Sequence, residues 1–195
     1  MRIIAGVSRG RRLVSPGQRF GKLVRPTSDR AREAIFNVLA DKVEQALVLD
    51  LFAGTGALGL EALSRGAAQA VFVEANRQVV ELIRQNIAAC GFIDESLVLQ
   101  RDLAKGPAFL AKLKPASGFD LVFLDPPYGM GLGHKVMAGL VELELVASHG
   151  IIVVEDRAGE EYPALFGDWF CYDRRRYGEA GFWLYRQQGE NESNE

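Results

Sequence analysis

From residue 46 onward, continuous apolar runs alternate with segments of helical period, and few architectures accommodate that alternation. ALVLDLF (46–52), QAVFVE (69–74), SLVLQRD (96–102), FDLVFLD (119–125) and GIIVVED (150–156) read as strands buried on both faces. GLEALSRG (59–66) and NRQVVELIRQNIAAC (76–90) read as helices closed by Gly66 and Gly91. LAKGPAFLAKL (103–113) reads as helical with a break near Pro107, and HKVMAGLVELELVA (134–147) as a helix. Strands alternating with helices predict an α/β fold with a mostly parallel sheet covered on both faces. WFCYDRRRYG (169–178) and AGFWLYR (180–186) then predict an antiparallel hairpin at one edge.

The charge is unevenly placed. The chain carries −2 overall. Residues 1–32 nevertheless hold nine Arg and Lys against one acid, Asp29, a segment charge of +8. RIIAG, SRGRRLVSPG and FGKLV read as short extended pieces punctuated by Gly6, Gly10, Gly17 and Gly21. The segment is expected to be a basic, hairpin-like extension for a polyanion, with Arg2, Arg9, Arg11, Arg12, Arg25 and Arg30 as candidate contacts to it. Ser28 or Thr27 can then cap a helix from about Asp29 to Leu39. The organisation expected is a basic extension and helix over 1–45, a central domain over 46–186 and a polar, disordered tail over 187–195.

No apolar run approaches the ~20 residues that span a bilayer, and no secretory signal pattern opens the chain. Cys90 and Cys171 stand 81 residues apart, giving neither zinc spacing nor a disulfide framework. The expectation is a cytoplasmic protein with reduced thiols, no metal and no membrane partner. His134 and His149 lack a nucleophile or metal spacing and read as structural; Trp169 and Trp183 read as core.

The first strand runs into DLFAGTGALGLEA, where Gly54, Gly56 and Gly59 spell G-x-G-x-x-G and Glu74 closes the next strand 20 residues after Gly54. That spacing is the dinucleotide fingerprint. Asp50, four residues before the first glycine, argues otherwise: a carboxylate at that mouth repels a pyrophosphate and suits a cation. S-adenosyl-L-methionine presents an ammonium and a sulfonium and no phosphate. Glu74 can accept from its ribose hydroxyls and Asp102 from its adenine amine.

The fourth apolar strand ends in LDPPYG (124–129). Proline cannot donate to a ladder, so the motif halts the strand and leaves a carboxylate, bare carbonyls and a ring at its end. Asp125 and the Pro126 carbonyl can accept the N–H groups of a nucleobase amine, Pro127 stiffens the turn, and Tyr128 can stack on the base. Guanine N2, adenine N6 and cytosine N4 all suit such a loop. Two rivals of another class are a nicotinamide-dependent oxidoreductase and a non-catalytic RNA-binding module.

DLFAGTGALGLEALSRGA, VFVE, RDL and DPPY together resemble class I S-adenosylmethionine-dependent methyltransferases. RIIAG, RGRRL and RPTSDRAREAIFNVL at the front narrow the resemblance to the RsmD family, over roughly residues 2–186. The resemblance implies a Rossmann-like seven-stranded sheet with an antiparallel last strand. It also implies methyl transfer to guanine N2 of 16S ribosomal RNA, free or in the assembling small subunit, with the arginines of the basic extension as RNA contacts. Carried across, it makes Asp50, Phe52, Ala53, Gly54, Thr55, Gly56, Glu74, Ala75, Asp102, Leu103 and Thr27 cofactor contacts, and Asp125, Pro126, Pro127 and Tyr128 the catalytic loop. The family often carries Phe at the place of Tyr128.

Overall fold

The helices start where the sequence supplies a side-chain acceptor or a glycine. Ser28 accepts from the Ala31 N–H and opens α1, Asp29–Leu39, which buries Ala31, Ile35, Phe36 and Leu39. Asn76 accepts from the Gln78 and Val79 N–H groups and opens α3, Arg77–Cys90; Gly91, at φ 81°, closes it in the left-handed conformation that glycine adopts without strain. Between them α2, Ala57–Ser64, starts directly after Gly56 and is buried along its whole length.

A computed structural model of the chain describes residues 1–15, 28–128 and 130–188. Arg25 and Thr27, part of the extended pieces and most of the acidic tail lie outside the described residues. The chain divides into two compact units, Met1–Leu103 and Ala104–Glu195.

In the first unit, β1 (Leu47–Leu51), β2 (Gln69–Glu74) and β3 (Ser96–Gln100) run parallel in the order β3-β2-β1. Asp50 lies opposite Phe72, and Glu74 opposite Gln100. Leu49, Leu51, Phe72 and Val73 of the strands and Ile83 of α3 are fully buried; Phe72, in register with Asp50, faces Gly59 of α2, and by the alternation of side chains Leu49, Leu51 and Val73 fill the other face of the sheet. Strands buried this way read as continuous apolar runs, which is why they were legible.

The N-terminal segment belongs to this unit. Ile3 N–H donates to the Arg11 carbonyl and Gly10 N–H to the Ile3 carbonyl, and Arg2 bridges Arg12, so residues 1–13 fold back as a hairpin. Ile3 and Leu13 are buried, and the hairpin is bolted to the end of α2: Val7 N–H donates to the Ser64 carbonyl, Ser8 N–H to Ser64 Oγ, and Ser64 Oγ to the Ala5 carbonyl. Basic exposed tips sit on an anchored base.

The second unit holds β4 (Phe119–Leu124) parallel to β5 (Val146–Arg157), with α4 (Leu132–Glu142) between them in the chain. β5 pairs antiparallel with β8 (Ala180–Gln187), β8 with β7 (Trp169–Tyr177), and β7 with β6 (Leu165–Phe166). Among the described residues the strands number eight rather than the expected seven. The extra one, β6, is two residues long, too short for its alternation to register in sequence. The 103–113 stretch forms two short 3-10 turns on either side of Gly106 and Pro107, not a broken α-helix. The helix expected through residue 147 stops at Glu142; Leu143, at its C-cap, returns its N–H to the Gly139 carbonyl, and Leu145 and Val146 are already buried, Val146 as the first residue of β5.

Gly6 is the tightest point of the hairpin. Its φ is +80°, and a Cβ there would lie 1.7 Å from the Ser64 carbonyl oxygen, a backbone atom. Gly6→Ala therefore combines left-handed strain with a clash that no rotamer relieves. It is expected to cost at least ~1–3 kcal/mol of stability, read as a lowered urea midpoint; an unchanged midpoint would show that the hairpin does not dock on α2.

Candidate functional site

The chain leaves β1 through a strained turn. Phe52, at φ 58°, is a non-glycine residue in the left-handed region, and Gly54 and Gly56 follow at 56° and 77°. Ala53 N–H donates to the Val73 carbonyl at 3.0 Å, and Gly56 N–H to the Ala53 carbonyl at 2.7 Å. The third glycine serves packing: a Cβ on Gly59 would lie 2.4 Å from the Phe72 ring. Its absence lets the Gly59 N–H reach Asp50 Oδ2 at 2.9 Å.

Two strand-end carboxylates hold this loop. Asp50 is fully buried in β1 and, among the described residues, has no ion-pair partner. Glu74, half-buried at the end of β2, accepts from Gly54 N–H at 3.2 Å and from Asn76 N–H at 2.8 Å, one on each oxygen. Burial pushes the Asp50 carboxyl up to about 7; the Gly59 hydrogen bond pulls it down, and the nearby charge of Glu74 adds to the rise. Thr55 is buried, its Oγ1 3.5 Å from Met1 Sδ. Asp102 and Ala75 are exposed and Leu103 is buried; Arg101 N–H donates to the Glu74 carbonyl, which ties the chain just before Asp102 to the end of β2.

The donor set fits a cationic, hydroxyl-bearing ligand. A buried carboxylate held near neutrality gains from a positive neighbour, and each Glu74 oxygen keeps lone pairs beyond its single backbone bond. Asp50 would disfavour a pyrophosphate, whereas Glu74 stands at the spacing of a ribose-binding acid for either kind of ligand.

In the second unit, β4 ends at Leu124 and the chain turns through Asp125, Pro126, Pro127 and Tyr128. Pro126 is buried, Pro127 exposed, and Asp125 and Tyr128 half-buried. The Arg157 guanidinium, from the end of β5, lies over the Tyr128 ring at 5.6 Å from its centre. Gly133 near the start of α4 has no room for a Cβ, which would lie 1.9 Å from the Tyr162 hydroxyl and 3.2 Å from the Pro126 ring. Tyr162 donates to Asp156 Oδ2 at 2.9 Å and stacks on His134, whose Nε2 is 3.0 Å from the Glu161 carbonyl. His149 pairs with Asp120 at 2.7 Å, and Trp169 and Trp183 are buried.

Among the arm residues, Arg2, Arg9, Arg11, Arg12 and Arg30 are exposed, and Arg2, Arg9 and Arg30 line a cavity of about 320 Å³ with Asp29 and Glu33. Arg32, part of the same basic run, is fully buried and points inward to Asp29, Glu61 and the Arg2 carbonyl. Sequence reasoning missed Glu61 and Asn86, both fully buried. Each had a signal: an acid inside the apolar run ALGLEALS, and an amide three residues after Ile83 on the apolar face of α3. Both thiols are free, no group of three His, Cys, Asp or Glu among the described residues could hold a metal, and no described helix is long and apolar enough to cross a membrane.

Comparison with known proteins gives a consistent picture. Residues 1–186 match the family described as conserved hypothetical protein 95. The chain is 35% identical to ribosomal RNA small subunit methyltransferase D of Escherichia coli strain K12, covering 100% of this chain and 93% of that protein. The enzyme of the same name from Haemophilus influenzae is 33% identical over 95% of this chain and 93% of its own length. A solved structure of a hypothetical protein from Thermus thermophilus superposes with a TM-score of 0.79 at 29% identity, covering 95% of this chain and 99% of that one.

Asp50 makes stability depend on pH. Unfolded, it titrates near 3.8; folded, at about 7. Between those values the folded state holds the extra proton, so this contribution to stability is complete at low pH and is lost as pH rises through about 7. Asp50→Asn, which keeps an acceptor for Gly59 and never ionises, should gain on the parent as pH climbs from about 4 to about 7, then hold a constant lead. Thermal unfolding of both proteins across that range checks it, and parallel curves would remove Asp50 as a titrating buried acid.

Proposed function

The chain belongs to the conserved hypothetical protein 95 family, the family of small-subunit ribosomal RNA methyltransferase D, and on that premise we propose that it is an S-adenosyl-L-methionine-dependent methyltransferase acting on 16S ribosomal RNA. The target is the exocyclic N2 of a guanine, as the family resemblance implies, and the substrate is that RNA, free or in the assembling small subunit of the bacterial cytoplasm. The observation that carries the reading is the left-handed glycine loop, bonded by Glu74 at Gly54 and backed by Asp50, which is buried on the Gly59 N–H of α2 with no ion-pair partner among the described residues. An oxidoreductase reading loses on Asp50, because a buried acid at that mouth disfavours a pyrophosphate.

The residues divide the work. Asp50 supplies negative potential for the methionine ammonium, Glu74 accepts from the ribose hydroxyls, Asp102 from the adenine amine, and the backbone from Phe52 to Gly56, with Ala75 and Leu103, closes around the adenosine. Thr27 takes part in the same contact set. The cofactor supplies an electrophilic methyl group on sulfur. A nucleobase amine is a poor nucleophile, since its lone pair is delocalised into the ring. The Asp125 carboxylate and the Pro126 carbonyl each accept one amine N–H, which orients the lone pair and favours the positive charge that grows on nitrogen. Tyr128 stacks on the base, with Arg157 over its ring fixing the ring's plane. A base within a helix cannot enter such a loop, so the target is unpaired or flipped. The exposed arginines of the hairpin, with Arg25 and Arg30, neutralise RNA phosphates.

Four outcomes test this. Glu74→Ala should weaken S-adenosylmethionine by roughly ten- to a hundred-fold in calorimetry, the loss of ~1.5–3 kcal/mol of charge-assisted bonding; tighter binding of NADH than of S-adenosylmethionine would overturn the cofactor. Asp125→Ala should leave that affinity within a few-fold and abolish labelling of 16S RNA. Mass spectrometry of the nucleosides should find N2-methylguanosine, and methylated adenine or cytosine would instead favour another amine. Replacing Arg9, Arg11 and Arg12 with Ala should flatten the salt dependence of RNA binding, by about 0.7–0.9 in log–log slope for each phosphate no longer neutralised. An unchanged slope would leave these arginines as a solvated face.

A further inference from the structure

We infer that Asn86 is a positioning residue that couples the RNA arm to the glycine loop, so that cofactor and RNA each tighten the binding of the other. The inference rests on the function proposed above and goes beyond it, since nothing in that function requires the two ligands to communicate.

Asn86 lies on α3 and is fully buried. Its Oδ1 accepts from Val14 N–H at 2.7 Å, and its Nδ2 donates to the Val14 carbonyl at 3.1 Å. The side-chain amide thus pairs with the Val14 backbone as a neighbouring strand would. The second hydrogen on Nδ2 goes to the Thr55 carbonyl at 2.9 Å. Thr55 stands between Gly54 and Gly56, both left-handed, so its peptide is flanked by the two residues with the freest backbone rotation in the loop.

Only a carboxamide can do this. Val14 requires one acceptor and one donor, and Thr55 requires a second donor; aspartate lacks both donors and a hydroxyl lacks the second. The bonds are also interdependent. If the Val14 segment lifts away, Asn86 loses two of its three hydrogen bonds in a buried position, where an unsatisfied amide is costly. The amide then turns to find others and releases Thr55. A ligand that needs the Thr55 peptide fixed therefore favours the docked arm, and a polyanion gripping the docked arm favours the fixed peptide. Thermodynamic linkage makes the two effects equal.

Val14 itself is about half exposed, at 48%, which opens a test away from the core. Val14→Pro deletes the N–H that Asn86 Oδ1 accepts and leaves the bond from Asn86 to Thr55 in place. The affinity of a 16S RNA fragment is measured with and without saturating S-adenosylhomocysteine, and that of S-adenosylhomocysteine with and without RNA. In the parent chain both ratios should agree and be about five-fold or more. In Val14→Pro and in Asn86→Ala both ratios should fall toward one. For Val14→Pro, S-adenosylhomocysteine alone should still bind within about two-fold of the parent, a pattern that general loosening of the fold would not give. In the ligand-free chain, the Val14 amide should exchange with solvent faster in Asn86→Ala than in the parent. A ratio of one in the parent, or an undiminished ratio in a folded variant, overturns the coupling while leaving the proposed function intact. Failure of the parent to bind either ligand overturns the function, and the coupling with it.

Discussion

A carboxylate taken fully out of water at the end of β1 sets the terms for everything after it. Among the described residues Asp50 has one hydrogen-bond donor, the Gly59 N–H, and no ion-pair partner. To bring that N–H within 2.9 Å, α2 must press against β2 until nothing larger than hydrogen fits on Gly59 beside Phe72. The chain must then cover the distance from strand to helix in a few residues. It does so by entering the left-handed region at Phe52, Gly54 and Gly56, with Phe52 carrying strain of order ~1–3 kcal/mol. Glu74 pins the middle of that turn through Gly54. The loop's shape is thus a consequence of satisfying one buried acid, and a loop so fixed offers a ligand the same surface each time.

A second buried acid governs the arm. Because α2 is buried on every side, Glu61 has no route to solvent and must find its partners inside. It accepts from Ile4 N–H at 2.8 Å, Ala5 N–H at 3.0 Å and Arg65 Nε at 2.8 Å, and Arg32 lies 3.7 Å away. Removing one partner of such a cluster leaves charge buried and uncompensated, typically at a cost of ~3–5 kcal/mol, whereas exposed pairs such as Arg84 with Glu81 contribute little. The basic hairpin is therefore part of the fold that makes the glycine loop. Arg32, counted with its neighbours as positive charge for a partner, is consumed by this internal cluster.

The strands, the α1 cap, the α3 termini and the glycine loop were legible because each is written in local rules: continuous apolar runs, a serine before a helix, a glycine after one. β6 was not, because two residues carry no period. The end of α4 was not, because VELELVA keeps an apolar rhythm across the change from helix to strand, and only the pairing of Val146 with Phe119 decides where the strand begins. Asn86 and Glu61 were invisible for a different reason. Their partners lie 72 and 57 residues away, at Val14 and Ile4, and no local pattern states which distant backbone group a buried side chain will meet. The residues Asp50, Glu74 and Asp125 stood out as acids at strand ends; what could not be read was that Asp50 would be withdrawn from solvent and occupied with Gly59.

Among the described residues of the first unit, the buried polar side chains are Ser8, Arg32, Asp50, Thr55, Glu61, Ser64 and Asn86. Each sits in the hairpin or the glycine loop, or bonds directly to one of them or to the helix that follows the loop. The interior of β2, by contrast, is closed by apolar side chains alone, Phe72 and Val73 among them. Apolar packing is tolerant: a change of shape is absorbed by neighbours at the expense of stability. Hydrogen-bonded burial is not, because each donor and acceptor admits one geometry and an orphan is costly. Concentrating the intolerant interactions around one loop and one hairpin makes those two elements the least deformable in the unit. Stability can therefore drift through the sheet without changing the chemistry, while a single polar substitution at the loop or hairpin changes what the unit can hold.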